Sequence, residues 1–108
     1  MSDVLQVVTT VGSQADAQAI ARGLIEQRLA ACVQVSGPIT SVYRWEGKVE
    51  TSEEWYCIAK TVRDLYSQVE SAIFDLHSYD EPEIIATAVV AGSPGYLDWV
   101  RAECTPNA

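Results

Sequence analysis

Apolar and polar residues alternate on both sides of one turn signal in the middle of the chain, over Ile39–Thr61. Alternation that uses β-branched and aromatic residues is typical of β-strands. The turn signal is Glu46-Gly47, where glycine accepts the positive φ that tight hairpin turns require. The pattern predicts one long β-hairpin whose arms exceed the usual strand length of about five or six residues.

Large side chains occupy both faces of the outer part of this hairpin. Because an isolated two-stranded ribbon of such length is marginal in water, something must cover it, and the simplest cover is another copy of the chain. Tryptophan and tyrosine are more often core or interface anchors than platforms for a cofactor. We therefore expect Trp45, Trp55 and Tyr56 at an interface between copies, and Trp99 in a core or an interface.

The residues before the hairpin change from a strand pattern to a helix pattern and back. Asp3–Val11 is rich in valine and apolar on both faces, which is typical of a central strand. Ser13 is a good N-cap, and the apolar residues after it recur at helical spacing to about Leu29. Ala30–Val35 is extended again, and Ser36-Gly37-Pro38 then predicts a bulge, a bend or an edge.

The residues after the hairpin continue this alternation of helix and strand. Val62–Leu76 predicts a second amphipathic helix, followed by a polar loop over residues 77–83. Ile84–Ala91 predicts a buried fourth strand, and Tyr96–Val100 a short last helix before a loose tail at 105–108. The order β-α-β-β-α-β predicts an α+β ferredoxin-like sandwich, with two helices on one face of a four-stranded antiparallel sheet.

Composition and charge exclude several classes of partner. The 108 residues suffice for a single domain over 1–108. Seven Lys and Arg against fifteen Asp and Glu give a net charge of −8, which argues against a nucleic acid partner. The sequence has no apolar run of about 18 residues, so we expect no membrane span. Without a signal-like start at Met1-Ser2-Asp3, the three cysteines suggest reduced thiols in a cytoplasmic protein.

Motifs for catalysis are absent from the sequence. It contains no G-x-S-x-G, P-loop or G-x-G-x-x-G pattern, and no cysteine with a plausible histidine partner. Phosphatase chemistry on this fold would use an Arg with an Asn, but the only asparagine is Asn107 in the tail. Cys32 and Cys57 lie in apolar, strand-like contexts and are expected to be small buried hydrophobic residues. The sequence therefore predicts a protein that is not an enzyme.

Candidate binding residues surround the only histidine. His77 stands beside acidic residues, so the loop offers imidazole for copper or zinc and carboxylates for hard cations. The alternative is a solvated histidine stabilised by the helix dipole. Lys60, late in a strand, is either an interface ion pair or an anion contact. On the hairpin, a solvated acidic face is favoured over a metal cage for Glu50, Glu53 and Glu54.

Five segments spread over nearly the whole chain resemble the CutA divalent-cation-tolerance family. They are Arg28–Cys32, Tyr43–Lys48 with its W-E-G-K turn, Lys60-Thr61, His77–Ile84 with H-x-Y-x-x-P-E, and Tyr96–Trp99. The resemblance implies a ferredoxin-like protomer in a tight homotrimer, similar in architecture to PII signalling proteins. It also implies that the long hairpin arms join sheets between subunits.

The same resemblance implies a link to tolerance of divalent metals, copper above all. Copper sites in the family use a first-strand cysteine and adjacent histidines after the second helix. Here those positions hold Thr9 and a single His77 preceded by Leu76. Threonine removes a soft ligand, so we expect weak binding of Cu(II) or another divalent cation, through His77 and Glu83, and none is required for folding.

The family pattern also implies a ligand cleft between subunits, lined by Lys60, Tyr79, Tyr43 and Trp45 in addition to His77 and Glu83. The first hypothesis is a non-enzymatic trimer that binds a metal ion or a small ligand in this cleft. The alternative is a trimeric scaffold or signalling protein that binds a protein partner or a small anion without a tight metal site.

Overall fold

The strand and helix patterns produce one four-stranded antiparallel sheet and three α-helices. The computed structural model describes residues 3–106. The strands are β1 (Val4–Val11), β2 (Cys32–Trp45), β3 (Lys48–Val62) and β4 (Ile84–Ala88), and the helices are α1 (Gln14–Glu26), α2 (Tyr66–Leu76) and α3 (Pro94–Glu103). None of these helices is long and apolar enough to cross a membrane.

The sheet confirms the predicted topology. Its strand order is β2-β3-β1-β4, and every neighbouring pair is antiparallel, as in a ferredoxin-like sandwich. β1 lies inside the sheet, as its valine-rich sequence predicts. Alternate residues of β1 and β3 join the apolar stripes of α1 and α2 in one core, which includes Val7, Val11, Cys57, Ala59, Ile20, Leu24, Val69 and Ile73.

Helix α1 begins and ends at recognisable caps. Ser13 is the N-cap, as predicted, and its Oγ accepts a hydrogen bond from the Asp16 amide at 3.1 Å. The helix ends at Glu26, a little before the predicted Leu29. Arg28 has a φ of 59°, which lets the backbone reverse while the Leu29 amide donates to the Leu24 carbonyl. The chain therefore leaves α1 by a tight turn that leads directly into β2.

The predicted hairpin is formed by β2 and β3. Trp45 pairs with Lys48, so the loop is the dipeptide Glu46-Gly47, with φ values of 50° and 79°. Ser36-Gly37-Pro38 does not end β2, because a register shift between Ser36 and Ile39 absorbs it as a bulge. Of the three outcomes predicted for that tripeptide, the structure shows the bulge.

The outer half of the hairpin extends beyond the rest of the sheet. β1 pairs with β3 only as far as Trp55, so Lys48–Glu54 pairs with β2 alone. We call Ile39–Trp45 with Lys48–Glu54 the distal ribbon. It makes the subunit elongated, with extents of 44 × 27 × 22 Å. The predicted two-stranded ribbon is therefore present in the subunit.

The fourth strand differs from its prediction. The apolar run Ile84–Ala91 was expected to be a buried strand, but β4 ends at Ala88 and most of its side chains are exposed. Ile85, for example, is 53% exposed. The reason is position, because β4 is an edge strand that pairs only with β1. An apolar sequence therefore faces solvent in the single subunit.

Helix boundaries also differ from the predictions at both later helices. A 3-10 turn at Arg63–Leu65 precedes α2, and Val62, where the helical spacing starts, is the last residue of β3. α3 begins at Pro94, where proline suits the first helical turn, and continues to Glu103. Thr105 accepts a 3.3 Å hydrogen bond from Arg28. Residues 1–2 and the predicted tail at 107–108, including Asn107, lie outside the described residues.

Candidate functional site

The loop after α2 is fixed to the end of β1 by His77. The His77 Nδ1 atom accepts a hydrogen bond from the Tyr79 amide at 3.0 Å, so the ring proton is on Nε2. Nε2 then donates to the Thr10 carbonyl at 2.8 Å. The His77 and Tyr79 rings also contact each other, with centroids 4.8 Å apart. Both ring nitrogens of His77 are thus engaged within the chain.

Tyr79 connects the same loop to the distal ribbon. Its hydroxyl donates to the Glu54 Oε2 atom at 3.0 Å. Partial burial and the neighbouring Glu54 carboxylate raise the pKa of Tyr79 to about 12, so the hydroxyl remains a donor at neutral pH. Gly12 makes room for the ring, because a Cβ there would lie 3.2 Å from the Tyr79 hydroxyl oxygen. The loop and the ribbon are therefore joined by a partly buried hydrogen bond.

A cavity of about 580 Å³ lies between the distal ribbon and this loop. We call it the hairpin–loop cavity. Three aromatic residues and four carboxylates line it, and none of its described lining residues is Lys, Arg or His. The lining consists of Tyr43, Trp45, Tyr79, Glu54, Asp80, Glu81, Glu83, Thr10, Ser41 and Val42. The site is therefore aromatic and strongly anionic.

Sequence reasoning identified part of this cavity. The structure brings together four of the proposed residues, Tyr43, Trp45, Tyr79 and Glu83. Lys60 lies outside the lining, and its Nζ donates to the Gln34 side chain at 2.6 Å. His77 supports the loop from behind without lining the cavity. The described lining residues therefore include no positively charged side chain that could bind an anion.

Glu54 is the residue that sequence reasoning missed. It was grouped with Glu50 and Glu53 as a solvated acidic face, which is correct for those two and wrong for Glu54, which is only 8% exposed. The strand register contained part of the signal, because it defines the face of the ribbon on which Glu54 lies but not the burial of its side chain. Glu54 pairs with Ile39, two residues before Ser41 and four before Tyr43, which places Glu54 on the same face of the ribbon as Tyr43.

The described residues do not form a ready metal centre. Within 3–106, no three His, Cys, Asp or Glu side chains lie close enough together to hold an ion. His77 would have to give up a hydrogen bond to become a ligand. Thr9 is not one of the lining residues, although its neighbour Thr10 is, and the buried Thr9 Oγ1 has no hydrogen-bond partner among the described residues. The donor set seen in one subunit therefore does not fit a tight copper site.

The predicted interface residues lie in different environments. Trp45 is 53% exposed near the tip of the distal ribbon. Trp55 is half-buried and packs against the core of its own subunit, directly over Gly37. Tyr56 is half-buried in β3. Of the three, Trp45 is the one whose side chain the single subunit leaves most open.

The three cysteines differ in burial. All three are free thiols, with Cys57 and Cys104 buried and Cys32 partly exposed. The Cys57 thiol donates to the Ala17 carbonyl at 3.3 Å, and burial raises its pKa to about 11. Cys57 therefore behaves as the buried hydrophobic residue that its sequence context predicts, whereas Cys32 is less buried than expected.

Comparisons with known proteins assign this chain to one family. The sequence profile described as CutA1 divalent ion tolerance protein matches residues 5–103. A divalent-cation tolerance protein CutA from Thermus thermophilus is 40% identical over 95 residues, covering 88% of this chain and 92% of that protein. The human Protein CutA is 41% identical over 85 residues, but the chain spans only 48% of its length.

Solved structures agree with the sequence comparisons. A crystal structure of CutA from Xylella fastidiosa superposes with a TM-score of 0.94 at 38% identity, covering 96% of this chain and all of the other. The Cut A1 divalent cation tolerance protein of Thermus thermophilus gives 0.92 at 37% identity, covering 94% of this chain and 99% of the other. The fold described above is therefore shared by this chain and these relatives.

Proposed function

The chain belongs to the CutA1 divalent ion tolerance family, and we propose that it contributes to tolerance of divalent cations by binding a metal ion or a small ligand, without catalysing a reaction. The observation that carries this proposal is the hairpin–loop cavity, which gathers four carboxylates and no basic side chain. Such a lining attracts cations and repels anions. Binding at this cavity is the chemistry that the described residues support best.

The proposal includes a homotrimer with PII-like architecture, in which the cavity lies at a cleft between subunits. Two features support an association of copies. The distal ribbon exposes apolar side chains, with Val42 66% and Val49 64% exposed, and β4 presents an apolar edge strand. Exposed apolar surface and an open edge strand both favour pairing with another chain. Trp45, Trp55 and Tyr56 are the proposed interface residues.

Copper is the first metal to test, with His77 and Glu83 as the proposed ligands. Binding through His77 would break its hydrogen bond to the Thr10 carbonyl or to the Tyr79 amide. The free energy of that rearrangement reduces the affinity, so we propose weak rather than tight binding. A second subunit could add ligands in the trimer. Folding does not depend on the ion in this proposal.

The alternative function is a trimeric scaffold or signalling protein. The exposed apolar ribbon favours this alternative if the partner is a protein. A small anion is the less favoured partner, because Lys60 is separate from the cavity and hydrogen-bonded to Gln34. An unchanged trimer that binds no cation but retains a protein partner would favour the scaffold.

Native mass spectrometry with and without Cu(II) tests the metal-binding proposal. We expect a trimer that takes up about one ion per chain, and we expect His77→Ala and Glu83→Gln to lose that uptake. Glu103→Gln, on α3 outside the cavity lining, is the matched control and should retain it. Absence of uptake by the unmodified chain would contradict metal binding, and a monomer would contradict the intersubunit cleft.

We also propose a cytoplasmic location, which the three free cysteines favour because thiols stay reduced there. The family is not uniform in this respect. The solved structure from Archaeoglobus fulgidus is described as a periplasmic divalent cation tolerance protein. The free thiols of this chain are the observation on which the proposed cytoplasmic location rests.

A further inference from the structure

Glu54 is a buried carboxylate without a cationic partner in the described part of the subunit. Its side chain is 8% exposed, and its one hydrogen bond there comes from the Tyr79 hydroxyl to Oε2. The ion pairs found within residues 3–106 both involve Arg101 instead. Burying a carboxylate is costly unless it is paired with a charge or fully hydrogen-bonded. Glu54 lines the cavity, and its carboxylate can accept more hydrogen bonds than the one from Tyr79, so it has capacity left for a donor from a ligand.

The side chains that line the cavity beside Glu54 suit an organic cation. Trp45, Tyr43 and Tyr79 line the cavity and are only partly buried in the subunit. Aromatic faces attract ammonium and guanidinium groups through their quadrupole, and tryptophan does so best. The same faces also accept apolar methylene groups. A ligand with charged ends and an apolar middle would satisfy both kinds of surface.

The size of the site also favours a molecule over a bare ion. A volume of about 580 Å³ lies within the range of about 300–1,000 Å³ typical of small-molecule sites. A metal ion needs several ligand atoms converging at about 2.0–2.6 Å. Among the described side chains, no group of three metal-ligating residues offers that convergence. The carboxylates are instead spread around the cavity, from Glu54 on the ribbon to Asp80, Glu81 and Glu83 on the loop.

From these observations we infer that the hairpin–loop cavity binds an organic dication, with two amino or guanidino groups joined by a short apolar chain. One cationic group pairs with Glu54, and the other pairs with the loop carboxylates. The methylene groups between them pack on Trp45 and Tyr43. This inference rests on the proposed function in that it concerns the same cavity, but it does not require that the protein bind copper.

Isothermal titration calorimetry with three four-carbon probes tests the charge requirement. The probes are putrescine, butanediol and succinate, which are a dication, a neutral molecule and a dianion of closely similar length. We expect heat of binding from putrescine only, because only putrescine can pair with the carboxylates. Equal binding of putrescine and butanediol would overturn the inference. Absence of putrescine binding at about 10 mM would overturn it as well.

Variants locate the site. Glu54→Gln keeps the shape of the side chain and removes its charge, and we expect putrescine to bind at least tenfold more weakly. Glu103→Gln removes a charge outside the cavity and should bind putrescine as the unmodified chain does. If Glu54→Gln fails to fold, the rim variant Asp80→Asn with Glu81→Gln should still weaken putrescine binding at least threefold. Unchanged affinity in the variant tested would overturn the inference.

The Cu(II) uptake and the putrescine titration together separate this inference from the proposed metal binding. Uptake of Cu(II) without binding of putrescine would overturn the organic dication and leave metal binding in place. Binding of putrescine without uptake of Cu(II) would support the inference and contradict the metal proposal. Native mass spectra of Glu54→Gln complete the test, because conversion of a trimer to monomers would show that Glu54 pairs with a neighbouring subunit instead of a ligand.

Discussion

At the scale of single residues, one hydrogen bond joins two segments that are distant in sequence. The Tyr79 hydroxyl and the Glu54 carboxylate connect the loop after α2 to the distal ribbon. His77 fixes the base of the same loop to β1, and Gly12 leaves space for the Tyr79 ring. The shape of the hairpin–loop cavity therefore depends on a few side chains that position the loop against the ribbon.

Removal of the Tyr79 hydroxyl should destabilise the fold. In Tyr79→Phe, the buried Glu54 carboxylate loses its only hydrogen bond from the described residues. An unsatisfied buried acceptor costs about 1–3 kcal/mol, so we expect the free energy of unfolding to fall by about 1–2 kcal/mol in urea titrations. Tyr96→Phe is the control, because Tyr96 is exposed to a similar extent, 43% against 38% for Tyr79, but its hydroxyl has no hydrogen bond within the described residues. Loss of that hydroxyl should cost less than about 0.5 kcal/mol.

The unmodified chain and Tyr79→Phe should also differ in how their stability changes in alkaline solution. The pKa of Tyr79 is raised to about 12 from 10.0, so the folded state keeps a proton that the unfolded state releases. The stabilisation is complete below pH 10 and is lost as the pH rises through about 12. The unmodified chain should therefore lose stability more steeply over this interval than Tyr79→Phe. Identical slopes would show that Tyr79 does not retain its proton.

At the scale of elements, the hairpin is the part that sequence reasoning predicted best. Alternation, the Gly47 turn and the bulge at residues 36–38 all leave local signals, because each depends on the conformation of a few adjacent residues. β4 shows the opposite case. Its apolar sequence favours burial, but its exposure depends on an edge position that only the complete strand order defines.

The hairpin turn carries a local strain that can be relieved. Glu46 has a φ of 50° and Gly47 a φ of 79°, the combination of a type I′ turn, in which Asn-Gly is the preferred pair. A non-glycine residue such as glutamate pays about 1 kcal/mol in this region, whereas asparagine tolerates it. We expect Glu46→Asn to raise the free energy of unfolding by about 0.5–1 kcal/mol.

Denaturant titrations of two variants check this expectation. Glu50→Asn serves as the control, because Glu50 lies within β3, where asparagine is disfavoured. It should leave the free energy of unfolding unchanged or lower it. If the two asparagine variants had the same stability, the positive φ at Glu46 would not be a source of strain.

At the scale of the whole molecule, the candidate site was only partly predictable because it combines distant segments. Tyr43 and Trp45 come from the ribbon and Tyr79 and Glu83 from the loop, and the family motifs mark both. No family motif indicates that Glu54 is buried or that Lys60 lies outside the cavity lining. Both follow from how the loop packs against the ribbon, and a pattern along the chain does not contain that contact.

The distal ribbon also bears on how copies of the chain associate. Beyond Trp55 its two strands have no third strand beside them, and they expose Val42, Trp45 and Val49. A two-stranded ribbon with apolar faces gains stability from a covering surface, and another subunit provides one. The sequence and the shape of the subunit therefore lead to the same expectation, that the ribbon is buried in the proposed trimer.

Truncation of Trp45 tests that expectation. A buried tryptophan at the centre of an interface contributes about 2 kcal/mol or more to the free energy of association. The proposed trimer of Trp45→Ala should therefore dissociate at a higher protein concentration than the unmodified trimer, or its free energy of unfolding should fall by about that amount. Trp99→Ala is the control, because Trp99 is similarly exposed but lies on α3. Native mass spectra over a dilution series measure the first effect, and denaturant titrations at fixed concentration measure the second. If Trp45→Ala remained fully trimeric and equally stable, Trp45 would not anchor the interface, and the exposed ribbon would be the surface on which to search for a different protein partner.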